Sequence, residues 1–326
     1  MSSEETHNAA APNGGDGIDR RNFLSCMAWA GTGLLWSMVG GVPTARLLAE
    51  SAGTPGSKPG RVEDFTFVQI SDSHIGFNRG ANPDVSGTLR KAIERVNSIP
   101  AEMKAPDFML HTGDITQNSK ASEFDTASEL NKAFQGEIFY VPGEHDFLDD
   151  GEQYKQRFGK GTTGNGWYSF NHKGVHFVGL NNCVQVDSMG NIGADQLAWL
   201  KSDLSGLSAS APIVVFAHIP LWMVYEKWGW GTRDGAEALT LLKRFGSVTI
   251  LNGHIHQVMQ KVEGNVSFHT AMATAFPQPA PGTASNPGPM TVPAGKLETV
   301  IGVTSVNVVR GHAHLAVVDH TLGEGV

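Results

Sequence analysis

An α/β layered domain is the fold class that the sequence predicts, and three observations predict it. Short β-branched and aromatic runs alternate with segments whose apolar residues recur at helical spacing. Paired strand-like runs follow that alternation. Acidic and imidazole side chains fall just after the strand-like runs rather than within them.

Element by element, "FTFVQI" (65–70) reads as a buried strand, and 85–99 carries apolar residues at helical spacing. "DFMLHTG" (107–113) is strand-like, 122–134 helix-like, and "EIFYV" (137–141) strand-like again. "WYSFNHKGVHFVGLNN" (167–182) reads as a hairpin turning at Asn171–Gly174, and 193–207 as an amphipathic helix. "PIVVFAH" (212–218) and "VTILNGH" (248–254) are strands around the helix-like 236–245, and "VEGNVSFHTA" (262–271) is a last hairpin. The layered domain is therefore expected over 62–276. Beyond it, "PQPAPGTASNPGPMTVPAG" (277–295) is too rich in proline for regular structure. Two further strands are expected at 299–309 and 314–320, so that 277–326 packs on the domain.

The N-terminal region reads differently. Residues 1–18 are polar, and Arg20-Arg21 then precede an uncharged, glycine-containing stretch that runs to Arg46. This resembles a twin-arginine (Tat) export signal, with a small-residue cleavage site at Ala49-Glu50-Ser51 and a linker over 52–61. The expected course is export through the Tat translocase to the periplasm, with no stable membrane partner after cleavage. An uncleaved anchor is the alternative. Cys26 would leave with the signal, so Cys183 alone remains, as buried packing, and no internal disulfide is expected.

With 326 residues and 40% hydrophobic content, the chain can bury a full core. Its net charge of −8 argues against a nucleic-acid backbone as partner, so any anionic substrate must be attracted locally. The source of that attraction lies in the strand-end residues. Asp72 and His74 follow the first strand, Asp114 the second, and Glu144, His145 and Asp146 the third. His218 follows the next strand, and His254 and His256 the one after. Strand carboxyl ends line one edge of an α/β sheet, so the five segments converge on one crevice. A cluster of Asp, Glu and His without Lys or Arg repels itself unless cations occupy it. Carboxylates and imidazoles suit Fe, Mn or Zn.

The five segments, "DSH", "GD", "GEHD", "H" and "GHIH", resemble the calcineurin-like metallophosphoesterase pattern D-x-H, G-D, G-N-H-[D/E], H, G-H-x-H. The resemblance implies a four-layer α/β/β/α sandwich with two metal ions, and hydrolysis of a small phosphodiester or nucleotide-like substrate by metal-activated water. It implies that Asp72, His74 and His256 hold one ion, that Asp114 bridges, and that Glu144, His218 and His254 hold the second. His145 would contact the scissile phosphate or protonate the leaving oxygen, with Asp146 orienting it. Glu144 departs from the family's Asn. Its added charge should favour metal retention and disfavour a phosphate dianion; the readings are a subfamily variant with normal hydrolysis, or a preference shifted toward monoanionic diesters or much weakened hydrolysis. The alternatives are a phosphomonoesterase and, from another class, a metal-binding or redox-partner protein with little turnover.

Trp222, Tyr225, Trp228 and Trp230 follow His218 closely and either wall the substrate or pack their own loop and the proline-rich segment. Arg233 is a candidate phosphate contact or an ordinary surface ion pair. His111 and His176 lie inside strands and read as core or sheet-face residues. His269 lies close to the expected site edge. "GHAH" (311–314) lacks a preceding strand-then-turn context, so His312 and His314 stay outside the site.

Overall fold

The structure is a computed structural model that describes residues 34–39, 42–47, 62–99, 105–184 and 189–323. The chain divides into two units, residues 1–57 and 58–326. In the first, the backbone of β1 (Leu34–Val39) and β2 (Val42–Leu47) pairs antiparallel. Arg20, Arg21, Cys26, the expected cleavage site and the linker lie outside the described residues. Among the described residues no helix is long and apolar enough to cross a membrane.

The second unit is built from strands buried on both faces. β3 (Phe65–Ile70) and β4 (Phe108–His111) show it: Phe65, Phe67, Phe108 and Leu110 point one way, and Val68, Ile70 and Met109 the other. β5 (Glu137–Tyr140) continues this parallel run. The second sheet contains β6 (Tyr168–His172), β7 (Val175–Gly179), β8 (Ile213–Phe216), β9 (Val248–Asn252), β10 (Met259–Glu263) and β11 (Val266–Thr270), in the order β10-β11-β9-β8-β7-β6. There β7, β8, β9 and β11 run parallel, and antiparallel partners close both edges.

The two sheets share an inner core that is strongly aromatic: Phe65, Phe67, Phe108, Phe177 and Phe216 meet Val214, Leu251 and Val306. Helices α1 (Val85–Asn97) and α2 (Ala121–Asn131) cover the outer face of the first sheet. In α1, Asp84 caps the N-terminus by accepting from the Gly87 amide, and Val85, Leu89, Ala92, Ile93 and Val96 form the buried stripe. The short α3 (Glu152–Phe158) adds Tyr154 to that side. Helices α4 (Ala194–Ser205) and α5 (Gly235–Leu242) cover the second sheet through Leu200, Leu204, Ala238 and Leu242. The result is the four-layer α/β/β/α sandwich.

The last strands complete the first sheet. β12 (Gly302–Val308) lies between β3 and β13 (Ala316–Thr321), antiparallel to both, giving the order β13-β12-β3-β4-β5. Residues 277–295 contain no helix or strand.

Candidate metal centre

Each expected ligand stands where a strand ends in a loop held by its neighbours. The loops after β3 and β4 stay paired past the strands, through Asp72 N–H to Gly113 O and His74 N–H to Asp114 O. The loops after β8 and β9 are joined by Gly253 N–H to His218 O. Five of these residues have left-handed backbone: Asp72 (φ 55°), His74 (43°), Asp114 (50°), His254 (69°) and His256 (53°). That conformation costs a non-glycine residue about 1 kcal/mol or more and persists where surrounding structure imposes it. Crowding also demands glycine: a Cβ at Gly143 would lie 2.0 Å from Asp114 Oδ1, and one at Gly253 2.0 Å from Ser71 Oγ.

The structure brings seven of the expected side chains together. Asp72, His74 and His256 form one group and Glu144, His218 and His254 another, with the ligand atoms of each group within 4.8 Å of one another. Asp72, Asp114 and His218 form a third group that links them. Asp114 Oδ2 is 3.5 Å from His74 Nε2 and 3.4 Å from His218 Nε2, while its Oδ1 accepts from the His145 amide. Glu144 reaches His218 Nε2 with Oε2 (3.0 Å) and His254 Nδ1 with Oε1 (2.9 Å).

The tautomers show that these contacts suit cations. His218 Nδ1 lies 2.7 Å from Thr112 O, and His256 Nδ1 2.6 Å from Phe276 O. Carbonyl oxygens only accept, so both Nδ1 atoms carry a proton and Nε2 is the ring atom turned inward. There His256 Nε2 faces Asp72 Oδ1 at 3.2 Å and His74 Nε2 at 3.2 Å. His218 Nε2, His254 Nδ1 and Glu144 Oε2 are buried without an aligned hydrogen-bond partner. Ligands about 2.0–2.2 Å from a shared ion stand about 2.8–3.6 Å apart, and the contacts among these atoms fall in that range. The donor set therefore fits a pair of metal ions.

The electrostatics agree. Burial opposes ionisation of Asp72, yet His256 and His218 hold its carboxyl well below the usual carboxylate range. Burial likewise opposes charge on Glu144, and His254 and His218 overcome it. Burial drives the His74 imidazole down to about 3, which keeps it neutral and able to ligate. For His145, burial is outweighed by Asp114 and Glu144, so its pKa rises.

His145 lies beside the ligands, with its ring 4.9 Å from that of His74, edge to face. Its Nδ1 is 2.8 Å from the carbonyl oxygen of Gln117, and the Gln117 side chain lies alongside at 3.2 Å. Asp146, expected to orient this ring, instead turns to the backbone. It accepts from the amides of Ile115, Thr116 and Gly143 and from Thr116 Oγ1. Burial and then Asp114 push its carboxyl up to about 7, against those donors. Asp146 ties the loop after β5 to the loop after β4, and Gln117 is the residue that holds His145.

Several supporting residues had no signal in spacing. Gln69 donates to Thr112 Oγ1 and Asn252 O. Asn182 donates to Ile219 O and accepts from its amide, fixing the loop that carries His218. Phe276 stacks on His74 (4.8 Å) and packs against His256 (4.9 Å).

The aromatic run divides. Trp230 is buried, and Trp222 packs on Phe268 in the outer core of the second sheet, so neither forms a substrate wall. Trp228 sits edge to face between Tyr225 (5.2 Å) and Trp230 (4.9 Å). Arg233 is exposed on the same segment. His269 Nε2 donates to Asp319 Oδ2 at 3.0 Å across the sheets rather than joining the ligands. His111 and His176 are buried within β4 and β7. Cys183 is buried and free.

The family model described as calcineurin-like phosphoesterase matches residues 65–258. Among curated proteins, the chain is 25% identical over 221 residues to a probable glycerophosphodiester phosphodiesterase of Arcobacter nitrofigilis, covering 63% of this chain and 76% of that one. It is 27% identical over 214 residues to a 3',5'-cyclic adenosine monophosphate phosphodiesterase of Haemophilus influenzae, covering 64% and 74%. Among solved structures, a dimetal phosphatase from Danio rerio superposes with a TM-score of 0.54 at 15% identity, over 79% of this chain and 99% of that one. The purple acid phosphatase PPD1 of yellow lupin gives 0.59 at 14% identity, over 82% and 53%. Fold, matched segment and ligand geometry agree: the chain belongs to the calcineurin-like phosphoesterase family.

Proposed function

We propose that this protein is a dinuclear metal-dependent hydrolase of small phosphodiesters, exported by a twin-arginine signal. The observation that carries the reading is the pair of ligand groups, Asp72–His74–His256 and Glu144–His218–His254, joined through Asp114 and flanked by His145. When bound there, two ions supply Lewis acidity toward phosphoryl oxygens and lower the pKa of water to near neutrality.

The chain's own groups do the rest. The Gln117 carbonyl holds the His145 proton on Nδ1, so Nε2 is the atom that exchanges a proton with the substrate. Asp114 and Glu144 favour the protonated ring against the cost of burial, which suits donation to a leaving oxygen near neutral pH. Glu144 supports the choice of diester: a carboxylate on the second ligand group weakens attraction for a dianionic monoester more than for a monoanionic diester.

The test is metal analysis of the purified protein followed by turnover of bis-p-nitrophenyl phosphate and p-nitrophenyl phosphate. Two metal ions per chain with faster diester turnover is the expected result. Faster monoester turnover reassigns the substrate, and no hydrolysis by fully metallated protein removes the enzyme. Export is tested by changing Arg20-Arg21 to Lys-Lys and locating the protein, which should stay in the cytoplasm.

A further inference from the structure

Residues 277–295 contain no charged side chain, although 17% of the whole chain is charged. Six of these residues are proline: 277, 279, 281, 287, 289 and 293. Such a segment would ordinarily be left to solvent, yet it is tied to the metal centre. Gln278 Nε2 donates to the backbone carbonyl of His254, and Gln257 Nε2 donates to the carbonyls of Gln278 and Pro279. The Met290 amide donates to Pro277 O, closing 277–290 into a loop at its base, next to the Phe276 ring that packs on His74 and His256.

From that base the loop approaches two further segments. At Gly282 a Cβ would stand 3.5 Å from the Tyr225 hydroxyl, on the segment that follows His218. Thr291 Oγ1 stands 3.8 Å from the Cβ position of Gly80, on the segment that follows His74. Exposed apolar side chains also lie on the loop or a few residues after site residues in sequence. Met290 belongs to the loop, Leu148 lies three residues after His145, and Val258 two after His256.

We infer that the proline-rich loop and the Tyr225–Trp228 pair form the specificity wall of the centre, and that it takes phosphodiesters whose second ester arm is uncharged and apolar or aromatic. The inference rests on the phosphodiesterase reading above and adds the substrate class. Proline suits the role because its fixed φ lets an irregular loop keep its shape without a ladder of hydrogen bonds. Tyr225 presents an apolar ring whose polar tip faces the loop backbone. No charge on the loop rewards an ionic arm, and desolvating one there would be unfavourable.

The test compares bis-p-nitrophenyl phosphate with methyl p-nitrophenyl phosphate. They share a leaving group and differ only in the arm that remains. Three proteins are assayed after metal analysis: the wild type, Tyr225→Ala, and a variant with residues 280–288 replaced by three glycines. For both variants kcat/KM on the aromatic diester should fall about tenfold, mainly through KM, with less than about a twofold change on the methyl diester. Phenylphosphonate should quench the tryptophan fluorescence of the wild type and not that of Trp228→Phe. Equal losses on both diesters, or no loss on either, would overturn the wall and leave the phosphodiesterase reading standing. A wild type that carries metal and turns over neither diester removes both.

Discussion

Glu144 is one carboxylate in a place where the family pattern has an amide, and its geometry shows what the exchange does. Each of its oxygens meets a different imidazole, at 3.0 and 2.9 Å, so the side chain spans the second ligand group. Glu144→Asn keeps one acceptor, shortens the reach by a methylene and removes a charge. The expected outcome is weaker retention of one metal ion, with the monoester-to-diester turnover ratio raised severalfold. Metal stoichiometry after dialysis and the two nitrophenyl esters measure both, and a variant unchanged in both would show that Glu144 only fills the amide's place. His145 makes a different contribution: its ring lies beside His74 and Asp114, with its Nδ1 held by the Gln117 carbonyl. His145→Gln should lower kcat by about 10²–10⁴-fold with metal content preserved, since a positioned proton donor is worth that much. Loss of metal together with activity would make His145 a ligand.

At the scale of elements, the site depends on loops that staple one strand end to the next. Asp146 is the clearest case, accepting three backbone amides drawn from the loops after β4 and β5. Asp146→Ala strands those buried donors, each costing about 1–3 kcal/mol. A loss of about 3 kcal/mol or more in denaturant unfolding is expected, together with reduced metal retention. A second staple lies far from the centre, where Asp203 of α4 faces His176 of β7 at 2.8 Å and Ser169 of β6 at 2.6 Å. Burial resists ionisation of Asp203, but the bonds from His176 and Ser169 hold its pKa below the ordinary value. A depressed folded-state pKa contributes stability above the unfolded value of about 3.9 and loses it as pH falls through the folded one. Below about pH 4 the wild type should therefore lose stability more steeply than Asp203→Asn, as thermal melts across pH 3–6 would show. Parallel slopes would mean that the pair is not coupled to folding.

What the sequence made legible follows from the same loops. Apolar runs such as "FTFVQI" and "VTILN" announce buried strands, and an acid or imidazole just past each run marks the strand end, so the convergence of Asp72, Asp114, His218 and His256 could be anticipated. Contacts set by distant pairing could not. β12 joins β3 with Thr304 opposite Gln69, and His269 finds Asp319 across the sheets, and no local period encodes either. Gln117 takes the place expected of Asp146 because a 3₁₀ turn at Glu144–Asp146 directs the Asp146 side chain at backbone amides, while the Gln117 carbonyl meets the imidazole. Trp222 and Trp230 are apolar residues that the core claims first.

On the scale of the whole molecule, the centre is a joint between two sheets. Asp72, His74, Asp114 and Glu144 follow strands of the five-stranded sheet, and His218, His254 and His256 follow strands of the six-stranded one. Two ions held there would therefore cross-link layers that are otherwise held by the aromatic inner core. Without cations, three carboxylates converge in a buried space, where a like-charge pair about 4 Å apart costs about 4 kcal/mol at an effective dielectric constant of 20. Burial disfavours charge on His218, yet Asp114 and Glu144 raise its pKa well above the ordinary value. Ion binding at a free concentration a thousandfold above Kd adds about 4 kcal/mol of stability. At about 2–4 °C per kcal/mol for a domain of this size, chelation should lower Tm by roughly 10 °C, and metal should restore it. His218→Ala and Asp72→Asn should each lose most of this metal-dependent shift, because each breaks the joint from one side. If the shift survives intact in both variants, the stabilising ion binds elsewhere. If metal binds stoichiometrically and no shift occurs even in the wild type, the sheets do not need it to hold together.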